Sequence, residues 1–352
     1  MKHTPFQHNF NQKKMIFLQQ LIELNHHHYQ NCNAYKNIVN SLFSGSLQAE
    51  SIEELPYLPV QIFKNLDLRS VHESSITNTM TSSGTTGNSV SKIYIDKRTS
   101  FKQSSALSEI VTDFIGKEKI PMLIVDCEKT ISDRNFFSAR TAAILGFSRF
   151  ASEKIFLLND DLSINDQAIQ YLMNQDTKYK FFFFGFTFII WEFLIQALKL
   201  KGVKLNLENA ICIHGGGWKM LEDQNISNDA FKSKFHEVLG VRTVFNYYGM
   251  IEQTGSIYFE CEHGHLHCSD YSDIIIRDLF DFRPLNMGEE GLIQTCSSIP
   301  FSYPGHSILT EDIGTLLGVD DCSCGRLGKY FKVQGRVPRA EIRGCSDTFR
   351  PS

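Results

Sequence analysis

The sequence lacks any apolar run long enough to cross a membrane, and its first residues, Met1-Lys2-His3-Thr4-Pro5-Phe6, contain no apolar segment of the kind that directs secretion. It has no excess of positive charge. A formal net charge of −4 gives no electrostatic reason to expect nucleic acid or an anionic membrane as a partner. Nor is there a paired cysteine framework. Nine cysteines, an odd number without the spacing of a secreted scaffold, point to a reducing, cytoplasmic setting in which cysteines bind metal or react. The segment most easily mistaken for a membrane span is residues 181–191, four phenylalanines followed by Gly185 and further apolar residues. Lys180 precedes it, Glu192 and Gln196 interrupt its continuation, and the run is about half of the roughly 20 residues a span needs. It reads as a buried strand over 181–184, a turn at Gly185 and a core helix to about Leu200, with the lining of an acyl pocket as the alternative.

What is present is a globular composition. Hydrophobic residues make up 42% and charged residues 21% of 352, enough for a sizeable core. Residues 10–46 carry apolar positions at helical spacing. Within them His26-His27-His28 point in three directions from a helix and are expected on a solvated face. Pro56 and Pro59 then force extended backbone. From Lys92 onward strand and helix patterns alternate: strands at 92–95, 121–126, 155–158, 181–184, 210–213 and 242–245, helices at 99–115, 140–145, 166–173 and 229–239. That alternation predicts α/β architecture with a largely parallel sheet, in which ligands sit at the carboxyl ends of strands. The expected division is a helical segment over 1–75, an α/β core over 76–334 and a short tail over 335–352.

Three loops carry the chemistry. Thr81 is followed by Ser82, Ser83, Gly84, Thr85, Thr86 and Gly87, with Lys92 five residues on. Small side chains, hydroxyl donors and glycine backbone suit a phosphate cradle. It is not a Walker A loop, which needs four residues between its glycines and then Lys and Ser/Thr; a polar surface turn is the alternative. The second loop, His214-Gly215-Gly216-Gly217-Trp218-Lys219, leaves a flat backbone against which a planar ring can lie. The third, Asn246-Tyr247-Tyr248-Gly249-Met250-Ile251-Glu252, offers an aromatic plane and a carboxylate suited to Mg²⁺. Further on, Asp312 offers a carboxylate to ribose hydroxyls and Gly335-Arg336 a cation. Two separated sets of soft ligands, Cys261 to Cys268 with its histidines and Cys322-Ser323-Cys324, suit a closed structural Zn²⁺ site, although Cys-x-Cys is tighter than the usual spacing. Unrelated reduced cysteines beside exposed histidines are the alternative.

In this order the pieces resemble the adenylate-forming enzymes. Within that superfamily the chain is similar to the acyl-protein synthetase (LuxE-type) family, through Leu58-Pro59-Val60-Gln61-Ile62-Phe63-Lys64, Phe184-Gly185-Phe186-Thr187, the triple-glycine segment and the stretch from Gly335 to Thr348. The resemblance implies the large N-terminal α/β domain of that superfamily, its sheets mostly parallel and flanked by helices, with the C-terminal domain and its lysine truncated. It implies ATP-dependent activation of a carboxylic acid, most naturally a long-chain fatty acid, as acyl-AMP. Ser82 to Gly87 and Lys92 would hold the phosphates. Gly215, Gly216, Gly217 and Tyr248 would surround the adenine, with Gly249 and Met250 also in the nucleotide site, Glu252 would position Mg²⁺, and Asp312 and Arg336 would bind the ribose. Cys345, beside Arg343 and Gly344, matches the family's acyl acceptor, which hands the acyl group to an acyl reductase partner. A related Cys/His pattern in phenylacetate-CoA-ligase-like proteins implies Cys261, His267, Cys322 and Cys324 as zinc ligands, with His265 or Cys268 as substitutes. The competing readings are a CoA or amine acyl ligase in which Cys345 is incidental, and a non-catalytic nucleotide-binding subunit. A homo-oligomer is left open.

Overall fold

The structure, a computed structural model, describes residues 4–81, 90–132, 139–176, 178–216, 218, 221 and 226–337. They fall into two compact units. Unit 1 holds the described residues up to 81, those from 90 to 114 and those from 248 to 337; unit 2 holds those from 115 to 247.

In chain order the strands of unit 1 begin with β1 (Leu58–Pro59), β2 (Ile76–Thr81) and β3 (Lys92–Asp96). Unit 2 then contributes β4 (Ile120–Ile124), β5 (Ala151–Phe156), β6 (Phe182–Phe186), β7 (Ile211–Gly215) and β8 (Thr243–Tyr248), at whose last residue the chain returns to unit 1. There follow β9 (Tyr258–Glu260), β10 (Leu266–His267), β11 (Ser272–Arg277), β12 (Glu290–Ser297), β13 (Ser307–Val319) and β14 (Lys329–Arg336).

Unit 2 is the expected parallel sheet, in the order β5-β4-β6-β7-β8. Its central strands β4 and β6 are apolar because both faces are covered. Phe181 and Phe183 enter one core cluster with Leu123, Leu194, Phe231 and Phe235. On the other face Phe184 stacks on Phe147 at 4.3 Å. The 181–191 segment is therefore packed core. Its expected turn at Gly185 is corrected: Gly185 lies within β6, where an added Cβ would come within 3.0 Å of Val125 and Ile190, so close packing demands glycine there. The helical stretch starts at Thr187, passes through a π-helical segment at Ile190–Gln196 and ends with Ala197–Leu200. No helix among the described residues is long and apolar enough to cross a membrane.

Unit 1 adds antiparallel strands that the sequence pattern did not resolve, in the order β11-β12-β13-β14-β10-β9, with β1 parallel to β13. β2 and β3 pair separately as a hairpin. Helix Phe10–Asn31 starts at a capping box in which Asn9 and Gln12 satisfy each other's backbone N–H. Its residues Phe17, Leu21 and Leu24 pack on Ile275 of β11 and Cys296 of β12. Each such side chain contributes about 1.5–3 kcal/mol by burial.

The same stripe continues to His28, so the solvated reading of the three histidines is corrected. His28 is fully buried, and His27 is half-buried and stacked on Phe301 at 3.8 Å. His28 Nδ1 lies 2.8 Å from Ser70 Oγ, and its ring stacks on buried His306 at 4.9 Å. Tyr35 Oη reaches Asn25 at 2.6 Å and His306 Nε2 at 3.3 Å. Burial first, then neighbouring imidazoles, holds His28 well below its ordinary value and His306 at about 3. Both rings are neutral in the fold, whereas unfolded imidazoles take up protons below about pH 6.5. Stability from this cluster is therefore present above about pH 6.5 and lost as the pH falls below it, by up to about 1.4 kcal/mol per pH unit for each ring. His306→Gln is expected to flatten the acid limb of stability, read from urea midpoints on either side of about pH 6.5. An unchanged slope would contradict the assignment.

Candidate active site and metal centre

In unit 1, β13 and β14 place Asp312 directly opposite Arg336. Asp312 Oδ1 accepts from Arg336 Nε at 2.8 Å and Oδ2 accepts from Tyr248 Oη at 2.7 Å. Asp312 N donates to Thr310 Oγ1 at 3.1 Å, which fixes the strand just before the carboxylate. Three residues far apart in sequence, each expected at the nucleotide, thus meet. Burial opposes the Arg336 charge, but Asp312 more than compensates and the guanidinium is held above its usual value. Burial, and then the Asp312 charge, pushes the Tyr248 phenol well up, so Tyr248 is a neutral donor. Each Asp312 oxygen keeps a further lone pair, which matches acceptance from a vicinal diol.

Tyr248 is the last residue of β8, so the third loop begins at Gly249 rather than at Asn246 as the sequence implied. Gly249 is exposed and Met250 half-buried, ahead of a short turn, Ile251–Gln253, that carries buried Glu252. The Glu252 charge is felt at Tyr303, whose phenol is raised first by burial and then by that carboxylate. One buried carboxylate completed by substrate phosphates is a common way of holding Mg²⁺, and Glu252 fits it. Lys92 opens β3, opposite Thr81 of β2, with its side chain exposed.

In unit 2, Gly215 ends β7 beside Tyr247 of β8. An added Cβ there would lie 2.7 Å from the Tyr247 ring and carbonyl, so this glycine is required by close strand packing. Gly216 comes next, exposed. Ser82, Ser83, Gly84, Thr85, Thr86, Gly87, Gly217 and Cys345 lie outside the described residues.

Two polar pairings have no counterpart in the sequence reading. His214, fully buried just before Gly215, places Nδ1 2.9 Å from Thr187 Oγ1 at the carboxyl end of the neighbouring strand. Burial, then the Lys232 charge, lowers this imidazole to about 3, so it is neutral. Asp126, just past β4, forms a buried pair with Arg140 at 2.5 Å and also accepts from Cys127 N and Thr130 Oγ1. The acid closing an apolar run was the available signal for Asp126. The partner of neither residue was readable, because both pairings depend on tertiary packing.

The four expected metal ligands converge in unit 1. The ligand atoms of Cys261, His267, Cys322 and Cys324 all lie within 4.8 Å of one another, and the first three residues are buried. Cys261 Sγ is 3.9 Å from Cys322 Sγ, and Cys324 Sγ is 3.3 Å from His267 Nε2. A tetrahedron with Zn–S of about 2.3 Å and Zn–N of about 2.0–2.1 Å has edges of roughly 3.5–3.8 Å, so the donor set fits the ion in identity and number and lies within about 1 Å of its spacing. Backbone N–H groups of His263 and Arg326 point at Cys261 and Cys324 sulfur, at 3.4 and 3.5 Å. His265 stays at the rim, its Nδ1 3.3 Å from Cys322 Sγ, and Cys268 is buried outside the four.

Residues 1–351 match the family described as acyl-protein synthetase, LuxE. The chain is 22% identical over 355 residues to a long-chain-fatty-acid–luciferin-component ligase of Vibrio harveyi, across 97% of this chain and 89% of the relative. It is 23% identical over 336 residues to the protein of the same name from Aliivibrio fischeri, across 88% and 82%. An open conformation of 2-hydroxyisobutyryl-CoA ligase is similar in fold, with a TM-score of 0.73 at 14% identity across 95% of this chain and 77% of that one. With a match over nearly its whole length, the chain belongs to the acyl-protein synthetase (LuxE) family and is an ATP-dependent acyl ligase.

Proposed function

We propose that the protein activates a long-chain carboxylic acid with ATP as acyl-AMP and then carries the acyl group on Cys345 as a thioester for an acyl reductase. In the first step a carboxylate oxygen attacks the α-phosphorus and pyrophosphate leaves. In the second the Cys345 sulfur attacks the acyl carbonyl carbon, the bond to the AMP oxygen breaks, and the thiol proton passes to solvent. The attacking carboxylate and the triphosphate repel each other, so donors must be in place as charge develops. Ser82 to Gly87 and Lys92 would supply them, Gly215 to Gly217 with Tyr248, Gly249 and Met250 would seat the adenine, and Asp312 with Arg336 would hold the ribose. Mg²⁺ on Glu252 would neutralise phosphate charge, and zinc on Cys261, His267, Cys322 and Cys324 would tie the loop between β13 and β14 to the β9–β10 hairpin.

The observation that carries the nucleotide reading is the Tyr248–Asp312–Arg336 constellation within a family of ligases. Asp312→Ala is expected to raise KM for ATP about 10- to 100-fold, the loss of one or two charge-assisted hydrogen bonds, with a smaller change in kcat. Acid-dependent ATP–pyrophosphate exchange measures both. An unchanged KM for ATP would remove Asp312 from the nucleotide. The destination of the acyl group is supported by the eight described cysteines: seven are buried and Cys324 is half-buried within the metal cluster. Burial raises the thiols of Cys212, Cys268 and Cys296, the last to about 12, so none of these is a ready thiolate.

A further inference from the structure

The two ends of strand β11 carry opposite kinds of surface. At its carboxyl end the turn 278–283 is locked by its own polar groups. Asp278 N donates to Arg283 O at 2.9 Å, Asp278 Oδ1 accepts from Phe280 N at 2.8 Å, and Asp281 Oδ1 accepts from Arg283 N at 3.0 Å. Buried Arg277 holds the carbonyl of Phe282 at 2.8 Å, with Phe282 at φ +58°, a conformation a bulky side chain rarely adopts. This rigid turn directs its apolar groups outward: Phe280 is 91% exposed, and Leu279, Phe282 and nearby Met287 are exposed with it. Residues 278–290 carry four carboxylates, Asp278, Asp281, Glu289 and Glu290, against one cation, Arg283. Arg283 lies 3.9 Å from Asp278 and 3.5 Å from Asp281 in surface pairs that leave the turn net acidic.

At the amino end of β11 lies a groove of about 370 Å³, floored by Ile16, Phe17, Phe101 and Ile299 and bordered by Lys13 and Lys102. The one carboxylate in its lining, Asp270, is taken by His8 at 2.7 Å. Lys13 donates to Ser272 O, whereas among the described residues the exposed Lys102 feels only the distant Glu23 carboxylate as a counter-charge. Burial, and then the nearby Arg98 charge, lowers the Lys102 ammonium from its ordinary value, a setting that an incoming carboxylate would relieve. Turn and groove are separated by six strand residues, about 20 Å.

We propose that a second copy of this chain is the occupant: in a two-fold dimer, the Leu279–Phe280 apex of each copy seats in the groove of the other, with Asp281 facing Lys102. An acidic apolar knob and a basic apolar groove at opposite ends of one strand are what a two-fold axis across that strand brings together, giving the same contact twice. The residues of β11 itself are buried, so the contact is through its two ends and not through its backbone edge.

Sedimentation velocity on the full chain tests this. The expected species is twice the 40.2 kDa chain, with a dissociation constant that rises with salt. Phe280→Ser and Lys102→Glu are each expected to weaken the dimer by roughly 30-fold or more. Neither side chain is buried, so thermal stability measured in parallel should be retained. Asp281→Lys combined with Lys102→Glu in one chain reverses the pair and is expected to restore dimerisation, which a general loss of folding would not do. A wild-type chain that stays monomeric, including one whose turn instead binds a different protein, overturns the proposal. A dimer indifferent to all three substitutions overturns it as well.

Discussion

Cys345→Ser is expected to abolish hydroxylamine-sensitive acyl labelling of the protein, on the order of 100-fold or more, while acid-dependent ATP–pyrophosphate exchange stays within about two-fold. The two readouts separate because the two steps use different groups. Exchange needs the nucleotide residues and the carboxylic acid, whereas the label needs a thiolate. A serine hydroxyl at the same place is a far weaker nucleophile at neutral pH, and an ester formed there would resist the mild hydroxylamine that cleaves a thioester. Arg343 beside the cysteine in sequence favours the thiolate, and Gly344 adds no bulk. The buried thiols elsewhere, such as Cys212 and Cys296, are poor substitutes. Thioester label persisting on Cys345→Ser protein, located by peptide mapping, would place the acceptor on another cysteine.

The second large effect concerns the metal. Protein purified without an affinity-column metal is expected to contain about one zinc per chain, and Cys322→Ser to lose it. Cys261 and His267 belong to the β9–β10 region, whereas Cys322 and Cys324 lie in the loop joining β13 to β14. Without the ion, two sequence-distant segments lose their tie at the far end of the hairpin that carries Asp312 and Arg336. On the order of 2–3 kcal/mol lost at such a link corresponds to a Tm lower by about 3–4 °C for a chain of this size. Much less than one equivalent of any transition metal in the wild type, with a Tm indifferent to strong chelators, would remove the ion from this cluster.

The parts of the fold that were legible in the sequence share one physical property. The central strands of unit 2 are largely buried and therefore apolar, as in Phe182–Phe186 and Ile120–Ile124, so composition and length were enough. Unit 1 hides its strands because it buries polar residues whose partners come from elsewhere in the chain. β11 is buried at all six positions although it contains Asp273 and Arg277; Asp273 is neutralised by Lys329 at 3.1 Å, and the Arg277 guanidinium donates to the carbonyls of Phe282 and Glu53 and to Gln294. An alternation rule sees only charge there. His28 misled for a related reason: its polar ring continues the Phe17–Leu21–Leu24 stripe and is held there by Ser70 at Nδ1 and by stacking on His306. The convergence of Cys261, His267, Cys322 and Cys324 was recoverable because soft donors are rare and clustered, whatever the distance between clusters. Asp312 and Arg336 were placed by motif, but their direct cross-strand pairing and the Tyr248 bond required the register of β13 on β14.

The central claim, that the acyl group ends on the protein without a small-molecule acceptor, is tested most directly by intact-protein mass spectrometry after incubation with a long-chain fatty acid, ATP and Mg²⁺, with CoA omitted. The expected result is a single added acyl mass on the wild-type chain, dependent on ATP and removed by neutral hydroxylamine. An unmodified chain that instead forms acyl-CoA once CoA is supplied would contradict it.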